Sequence, residues 1–220
     1  MLPYLVFILF GFASGSVLYA LLLPRLFLKK DVTTDSRDHN PGAANAFLHG
    51  GVGIGSLCLC CDLLKGILPV YFACRVLDPA SPWFALVLVA PVLGHLYSPM
   101  AGFHGGKGIA VSFGVLLGLL KADGILLLLI GLYLFTSLVV VVRPHRLRTM
   151  ATYALLGCGA LFLCHETGVI LGVVLMGAAI FLRHLPPEEG EERPSVGFFA
   201  WRRPAVPLPE EEEKPKAKRF

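Results

Sequence analysis

The chain has 220 residues, of which 55% are hydrophobic and only 15% charged, and its mean hydropathy is +0.72. That balance excludes an ordinary water-soluble globular domain and points to an integral membrane protein. The formal net charge is +4 and unevenly spread: residues 1–185 carry 12 Lys/Arg against 7 Asp/Glu, whereas the segment from Pro186 carries 7 against 8.

In chain order, the first apolar run, Leu2 to Pro24, holds no charge. At ~1.5 Å per residue it reaches about 35 Å, enough to cross a hydrocarbon core. A cleaved signal peptide carries its positive charge ahead of a shorter apolar core. Here Arg25, Lys29 and Lys30 follow the run, which predicts a retained first helix. After a polar stretch at 29–51, a second run, Val52 to Cys74, ends before the turn signal DPASP at 78–82. A third, Trp83 to Tyr97, leads into the loop GFHGGKG, and a fourth, Ile109 to Leu120, is short for a full crossing at ~18 Å. Gly124 to Val142, Thr149 to Cys164 and Val169 to Leu182 complete seven runs, separated by RPHRLR at 143–148 and HETG at 165–168. From residue 186 onward, seven prolines and the run Glu210 to Glu213 predict a disordered, solvated tail, leaving 1–185 as the transmembrane domain. The six cysteines fall within the predicted helices and read as packing residues without disulfides, and the CLCC at 58–61 lacks the paired spacing of a zinc site.

Seven crossings put the 29–51 stretch, the GGKG loop, RPHRLR and the tail on one side. Arg25, Lys29, Lys30, Arg37, Lys107, Arg143, Arg146, Arg148 and Arg183 collect there, against Arg75 and Lys121 opposite. The positive-inside rule makes that side cytoplasmic. The expected fold is therefore all-α, a polytopic membrane bundle of seven transmembrane helices with the N-terminus outside and the C-terminus cytoplasmic. A re-entrant third and fourth pair leaves five crossings with the same sidedness.

Two features carry chemistry. Asp62 and Lys65, three residues apart near the middle of the second run, share a helix face; charges at that depth are expected to pair and turn inward, as a brace between helices or as substrate ligands. In the GGKG loop, Gly105, Gly106 and Gly108 allow the backbone close to a ligand, the next helix points its positive end at the same place, and Lys107 adds a full charge. The loop reads as a phosphate site, or more plainly as a tight turn with a snorkelling lysine. It is not a Walker A loop, because Ala101 stands where that motif needs glycine and Gly108 where it needs Ser or Thr. His95 lies close enough in sequence to join the loop, or to be a helix-end histidine bonded to backbone. NPGAAN at 40–45 is a second glycine-containing loop on the same side, so Asn40, Gly42 and Asn45 are expected beside Lys107.

GHLYSPMAGFHGGKGIA, residues 94–110, resembles the signature GHxxPxFxGFxGGKGVAT of the bacterial acyl-phosphate:glycerol-3-phosphate acyltransferase family. The chain around Asn40 to Asn45 is similar to that family's SGNxGATNxxR loop, and DLLKG in the second run matches another of its segments. The resemblance implies a seven-helix plasma-membrane enzyme that moves a fatty acyl group from acyl phosphate to glycerol 3-phosphate, without cofactor or metal. Membrane lipids and an acyl-phosphate-producing enzyme are the implied partners, and nucleic acid is not. It assigns His95, Lys107 and Asn45 as catalytic, and Asn40, Gly42, Gly105, Gly106 and Gly108 as substrate-binding, with the three glycine amides and Lys107 holding phosphate.

The pattern also departs from that family. Asp38 stands at its serine, His39 at its next glycine, Ala44 at its threonine and Leu48 at its arginine; Ser98 replaces its proline, Val111 its final threonine, and the third motif, HRxNIxRLxxGxE, shrinks to His184 followed by Leu185, Pro186 and Pro187. Arg37, His39, His49 and Arg146 are the nearest replacements for lost cations. Two alternatives stand beside the enzyme: an impaired or substrate-shifted paralogue that binds lipid or phosphate, and a small-molecule transporter built on Asp62 and Lys65.

Overall fold

The protein is described here by a computed structural model covering residues 1–34, 36, 38–119, 124–187 and 190–200. It is mostly helical: α1 (Leu2–Ser16), α2 (Tyr19–Leu28), α3 (Ala43–Val76), α4 (Phe84–Leu96), α5 (Ile109–Gly118), α6 (Ile125–Leu134), α7 (His145–Leu163) and α8 (Thr167–Arg183). Central α4 packs between α1 and α8, α3 packs on α5, and α7 closes against α8. The core joins Val87, Leu88, Val92 and Leu96 of α4 to Val111 and Val115 of α5 and to Val173, Met176 and Ile180 of α8. Large apolar side chains such as Leu9, Leu127 and Phe162 stay on the outer surface, as expected where the surrounding medium is lipid. By length and composition, α3 and the stretch Phe84–Ala101 suffice to cross a membrane, and the α1–α2 pair, bent by 43°, makes a third candidate. Helices α5 and α8, and Ile125–Val139, are apolar but shorter.

The first run is not one helix. It breaks at Val17, which is extended at φ −72°, ψ 116°. The carbonyls freed by the break are claimed from elsewhere: Ser98 Oγ donates to Ser16 O at 2.5 Å and Lys65 Nζ to Val17 O at 2.6 Å. An irregular backbone at membrane depth survives only with such partners. The second helix starts nine residues earlier than expected, at Ala43, and Gly51 (φ 80°) kinks it between the expected loop and the expected span.

The all-α expectation needs one correction. The fifth run ends as helix at Leu134, passes through a wide turn at Phe135–Val139 and becomes a strand, β1 (Val140–Arg143). Successive β-branched valines favour the extended chain. Its partner, β2 (Ser195–Phe198), lies in the segment expected to be disordered, pairing antiparallel with Val140 opposite Phe198. Arg146 Nε donates to Glu191 Oε1 at 2.9 Å, which anchors the same segment. Glu210–Glu213 and the rest of the tail from 201, like Arg37 and Lys121, lie outside the described residues.

At Gly94 a Cβ would stand 2.2 Å from Phe12 O, so the contact of α4 with α1 requires hydrogen there. Gly94→Val should cost about 1–3 kcal/mol by forcing the helices apart. Gly157→Ala, inside α7 with nothing within 4 Å, should not lower thermal stability in detergent and should raise it slightly.

Candidate active site

Two loops and one helix end meet at the site. The first loop is folded by Asp31, whose Oδ1 accepts from Thr33 Oγ1 at 2.6 Å and Thr33 N at 3.0 Å, while Oδ2 takes the Arg25 guanidinium. The Thr33 bonds, then the Arg25 pairing, hold its carboxyl down to about 2. Further along, His39 Nδ1 lies 2.8 Å from Thr33 O, and Gly42 is the N-cap of α3. Just ahead of His39 sits Asp38: Oδ1 accepts from Asn45 Nδ2 at 2.8 Å and from the Asn40 amide at 3.3 Å, and Oδ2 from Lys107 Nζ at 2.8 Å. Asn45 Nδ2 also donates to Asn40 O at 2.8 Å.

The glycine-lysine loop folds back along the end of α4. The Gly105 amide donates to Leu96 O at 3.0 Å and the Gly106 amide to His95 O at 3.1 Å. A Cβ would stand 1.8 Å from His95 O at Gly105 and 2.3 Å from His95 Nε2 at Gly106, so these two glycines exist for that close approach. In this structure the Gly105 and Gly106 amides therefore both donate to carbonyls at the end of α4. On the outer side Arg183, at the end of α8, donates to Gly105 O at 2.9 Å and Gly106 O at 3.3 Å. Gly108, at φ 79°, then opens α5, whose first amides have no intrahelical acceptor.

His95 is 3% exposed, and its Nδ1 lies 2.8 Å from Lys65 Nζ. Lys65 pairs with Asp62 at 2.8 Å, both side chains being at most 2% exposed. The intramembrane charges are thus paired and turned inward as expected. They form a brace that also supports a site residue.

These residues surround a cavity of about 650 Å³. Asp38, Asn40, Asn45, His95 and Lys107 stand at its polar part, and Leu59, Leu63, Phe113, Leu117, Leu126 and Ile130 line the rest, along with Asp62 and the start of α5. A neighbouring polar cavity of about 450 Å³ shares Asp38, Asn40 and Lys107 and adds His39, His104, Gly105, Arg183 and His184. Of the cations expected to compensate for lost ones, His39 does line the site; His49 lines neither cavity. Arg146 is bound to Glu191 and to the carbonyls of His184 and Leu185, and Arg37 lies outside the described residues. Arg183 was not anticipated, since nothing in FLRH distinguishes a loop clamp from a helix-end cation facing headgroups. Among the described residues, no group of three or more His, Cys, Asp or Glu is placed to hold a metal ion.

At Asp38, burial raises the carboxyl, but hydrogen bonds from Lys107 and Asn45 and the Lys107 charge outweigh it and hold it below the ordinary carboxylate value. A lowered pKa in the folded state means that the contribution of Asp38 to stability is fully present above the ordinary carboxylate range and is lost as pH falls through the lowered value.

The site thus joins an apolar chamber to a cluster of polar and charged side chains in a mostly helical protein with candidate membrane spans. Comparison with known proteins makes this specific. The glycerol-3-phosphate acyltransferase family model matches residues 5–187, and the chain belongs to that family. It is 34% identical to the glycerol-3-phosphate acyltransferase of Shewanella woodyi over 80% of this chain and 84% of that protein. It is 34% identical to that of Hydrogenobaculum sp. over 57% of this chain, and 42% identical to that of Escherichia fergusonii over 50%. Those two alignments span 63% and 52% of the relatives' lengths. Two crystal structures of PlsY (YgiH), an integral membrane glycerol 3-phosphate acyltransferase, align over 83% of this chain and 88% of theirs at 25% identity, with TM-scores of 0.71 for the glycerol 3-phosphate form and 0.69 for the lysophosphatidic acid form. The family assignment favours acyl transfer over transport.

Lys65→Met should destabilise the protein by about 3–5 kcal/mol, because Asp62 would be left as a buried charge without its counter-ion. The double substitution Asp62→Leu, Lys65→Met should recover part of that loss, read as chemical or thermal unfolding in detergent.

Proposed function

We propose that the protein transfers a fatty acyl group from acyl phosphate to the 1-hydroxyl of glycerol 3-phosphate, releasing inorganic phosphate and lysophosphatidate for phospholipid synthesis. The observation that carries this reading is the convergence of Asn40, Asn45, His95 and Lys107, drawn from three separated segments, on one cavity with an apolar chamber. The acyl chain lies among Leu59, Phe113, Leu117 and Leu126, and its phosphate meets Lys107 and the first turn of α5. That is a cation beside a helix N-terminus. Glycerol 3-phosphate enters from the polar cavity, where Arg183, His39 and His104 supply donors.

The 1-hydroxyl oxygen bonds to the acyl carbon, the bond from that carbon to the phosphate oxygen breaks, and the hydroxyl proton leaves with the phosphate. Acyl phosphate is already activated, so alignment of the two substrates and stabilisation of the developing oxyanion supply the rate. Lys107 is the catalytic cation, with Asn45 and His95 as hydrogen-bonding groups of the same centre. Gly42, Gly105 and Gly106 act through shape, as Gly42 lies where a Cβ would stand 2.5 Å from Asn40 Nδ2.

The same reading makes the protein a multi-pass component of the plasma membrane with seven crossings, counting α1–α2 as one, an outer N-terminus and a cytoplasmic C-terminus. The one-sided Lys/Arg distribution supports it. An enzyme that makes acyl phosphate is the expected supplier of the donor.

The test uses purified protein with acyl phosphate and labelled glycerol 3-phosphate. Unaltered protein should form labelled lysophosphatidate, and Lys107→Ala should lose about 10²–10³-fold in rate, as when a transition-state donor is removed. Product from unaltered protein no greater than that from Lys107→Ala would reject the reaction. Gly106→Ala should also lower activity strongly, since its Cβ would displace the His95 ring.

A further inference from the structure

We propose that Asp38 is an internal competitor for the substrate phosphate: its carboxylate occupies the anion seat at Lys107, and a phosphoryl group reaches that ammonium only by displacing it. The inference rests on the acyl-transfer reading for the identity of the competing anion. Its own basis is geometric. Three donors from separate segments, Lys107 Nζ, Asn45 Nδ2 and the Asn40 amide, converge on the two oxygens of one carboxylate. A cation, a neutral amide and a backbone N–H converging on one small anion is the donor set that a phosphate oxygen also seeks.

Asp38 belongs to the walls of both cavities, so its carboxylate stands where the apolar chamber meets the polar entrance. Its side chain is 21% exposed and that of Lys107 is 22% exposed, so the pair is reachable from the cavities and not sealed in the core. A phosphate dianion entering beside it meets a like charge as well as an occupied donor set. Affinity for every phosphate is thereby lowered by a common factor. A ligand with an apolar tail regains the loss by burying that tail along Leu59, Leu117 and Leu126, while free inorganic phosphate, the product, regains nothing. Asp38 thus sets the threshold below which a bare phosphate does not stay bound.

The test is inorganic phosphate binding to the detergent-purified full chain, followed by calorimetry, for unaltered protein, Asp38→Asn and Asp38→Ser. Both substitutions should tighten phosphate binding about tenfold, the order expected when a like charge is removed from an anion's seat. Adding Lys107→Met to Asp38→Asn should abolish the gain. Unchanged or weaker phosphate binding in both single variants, each confirmed as folded by its thermal midpoint, would overturn the inference. So would a gain that persists without Lys107. Acyl transfer is measured in parallel: tighter phosphate binding in protein that transfers no acyl group would reject the reaction and keep the competitor, whereas active protein with unchanged binding would do the reverse.

Discussion

One buried ammonium organises the molecule. Lys65 Nζ donates to Val17 O, lies 2.8 Å from His95 Nδ1 and forms an ion pair with Asp62 Oδ1 at 2.8 Å, so it ties together the α1–α2 break, α4 and α3. An ammonium has three donors, and in a membrane interior each must be met. The break in the first helix, costly on its own, is thereby tied to the same charge: it frees the carbonyl that the lysine needs. The His95 ring turns Nδ1 toward Lys65 Nζ, 2.8 Å away, and Nε2 toward Gly106.

From there the constraint passes outward. The His95 ring and carbonyl leave no room for a Cβ at residues 105 and 106, the backbone bonds of those glycines lock the loop to α4, and Arg183 holds their carbonyls from α8. Lys107 is the next residue, held over the cavity by a loop that is itself fixed on both sides. The Gly105 and Gly106 amides are therefore engaged with α4, and in the proposed reading the anion chemistry falls to the lysine, to the first turn of α5 and to the amide side chains of the other loop. That division of labour differs from a phosphate-cradling nest, although the two share a sequence pattern.

Much of this was legible in the residues. Apolar runs located the helices, the charge pair three apart located the intramembrane brace, and the long motif ending in GGKG, with the separate NPGAAN loop, pointed Lys107, His95, Asn40 and Asn45 to one place. What escaped depends on distant partners. The break at Val17 lies inside an uninterrupted apolar run and is tolerable only because Ser98 and Lys65 arrive from far along the chain. The strand at Val140–Arg143 looks like the end of an apolar helix until β2 supplies its pairing. Whether a glycine amide is free to bind an anion or committed to a carbonyl cannot be read from glycine spacing. Arg183 reads in the sequence as one of the one-sided cations, and nothing there marks it as a clamp on the glycine loop.

The central claim is that residues 38–45, His95 and Lys107 form one seat for a phosphorylated substrate. The most direct measurement is an experimental structure of the protein with a non-transferable acyl phosphate analogue bound. The expected result places a phosphate oxygen within about 3 Å of Lys107 Nζ, with the Asp38 carboxylate moved off that ammonium. Substrate bound elsewhere, with the Asp38–Lys107 pair intact and the Lys107 ammonium directed away from Asn40, Asn45 and His95, would contradict it.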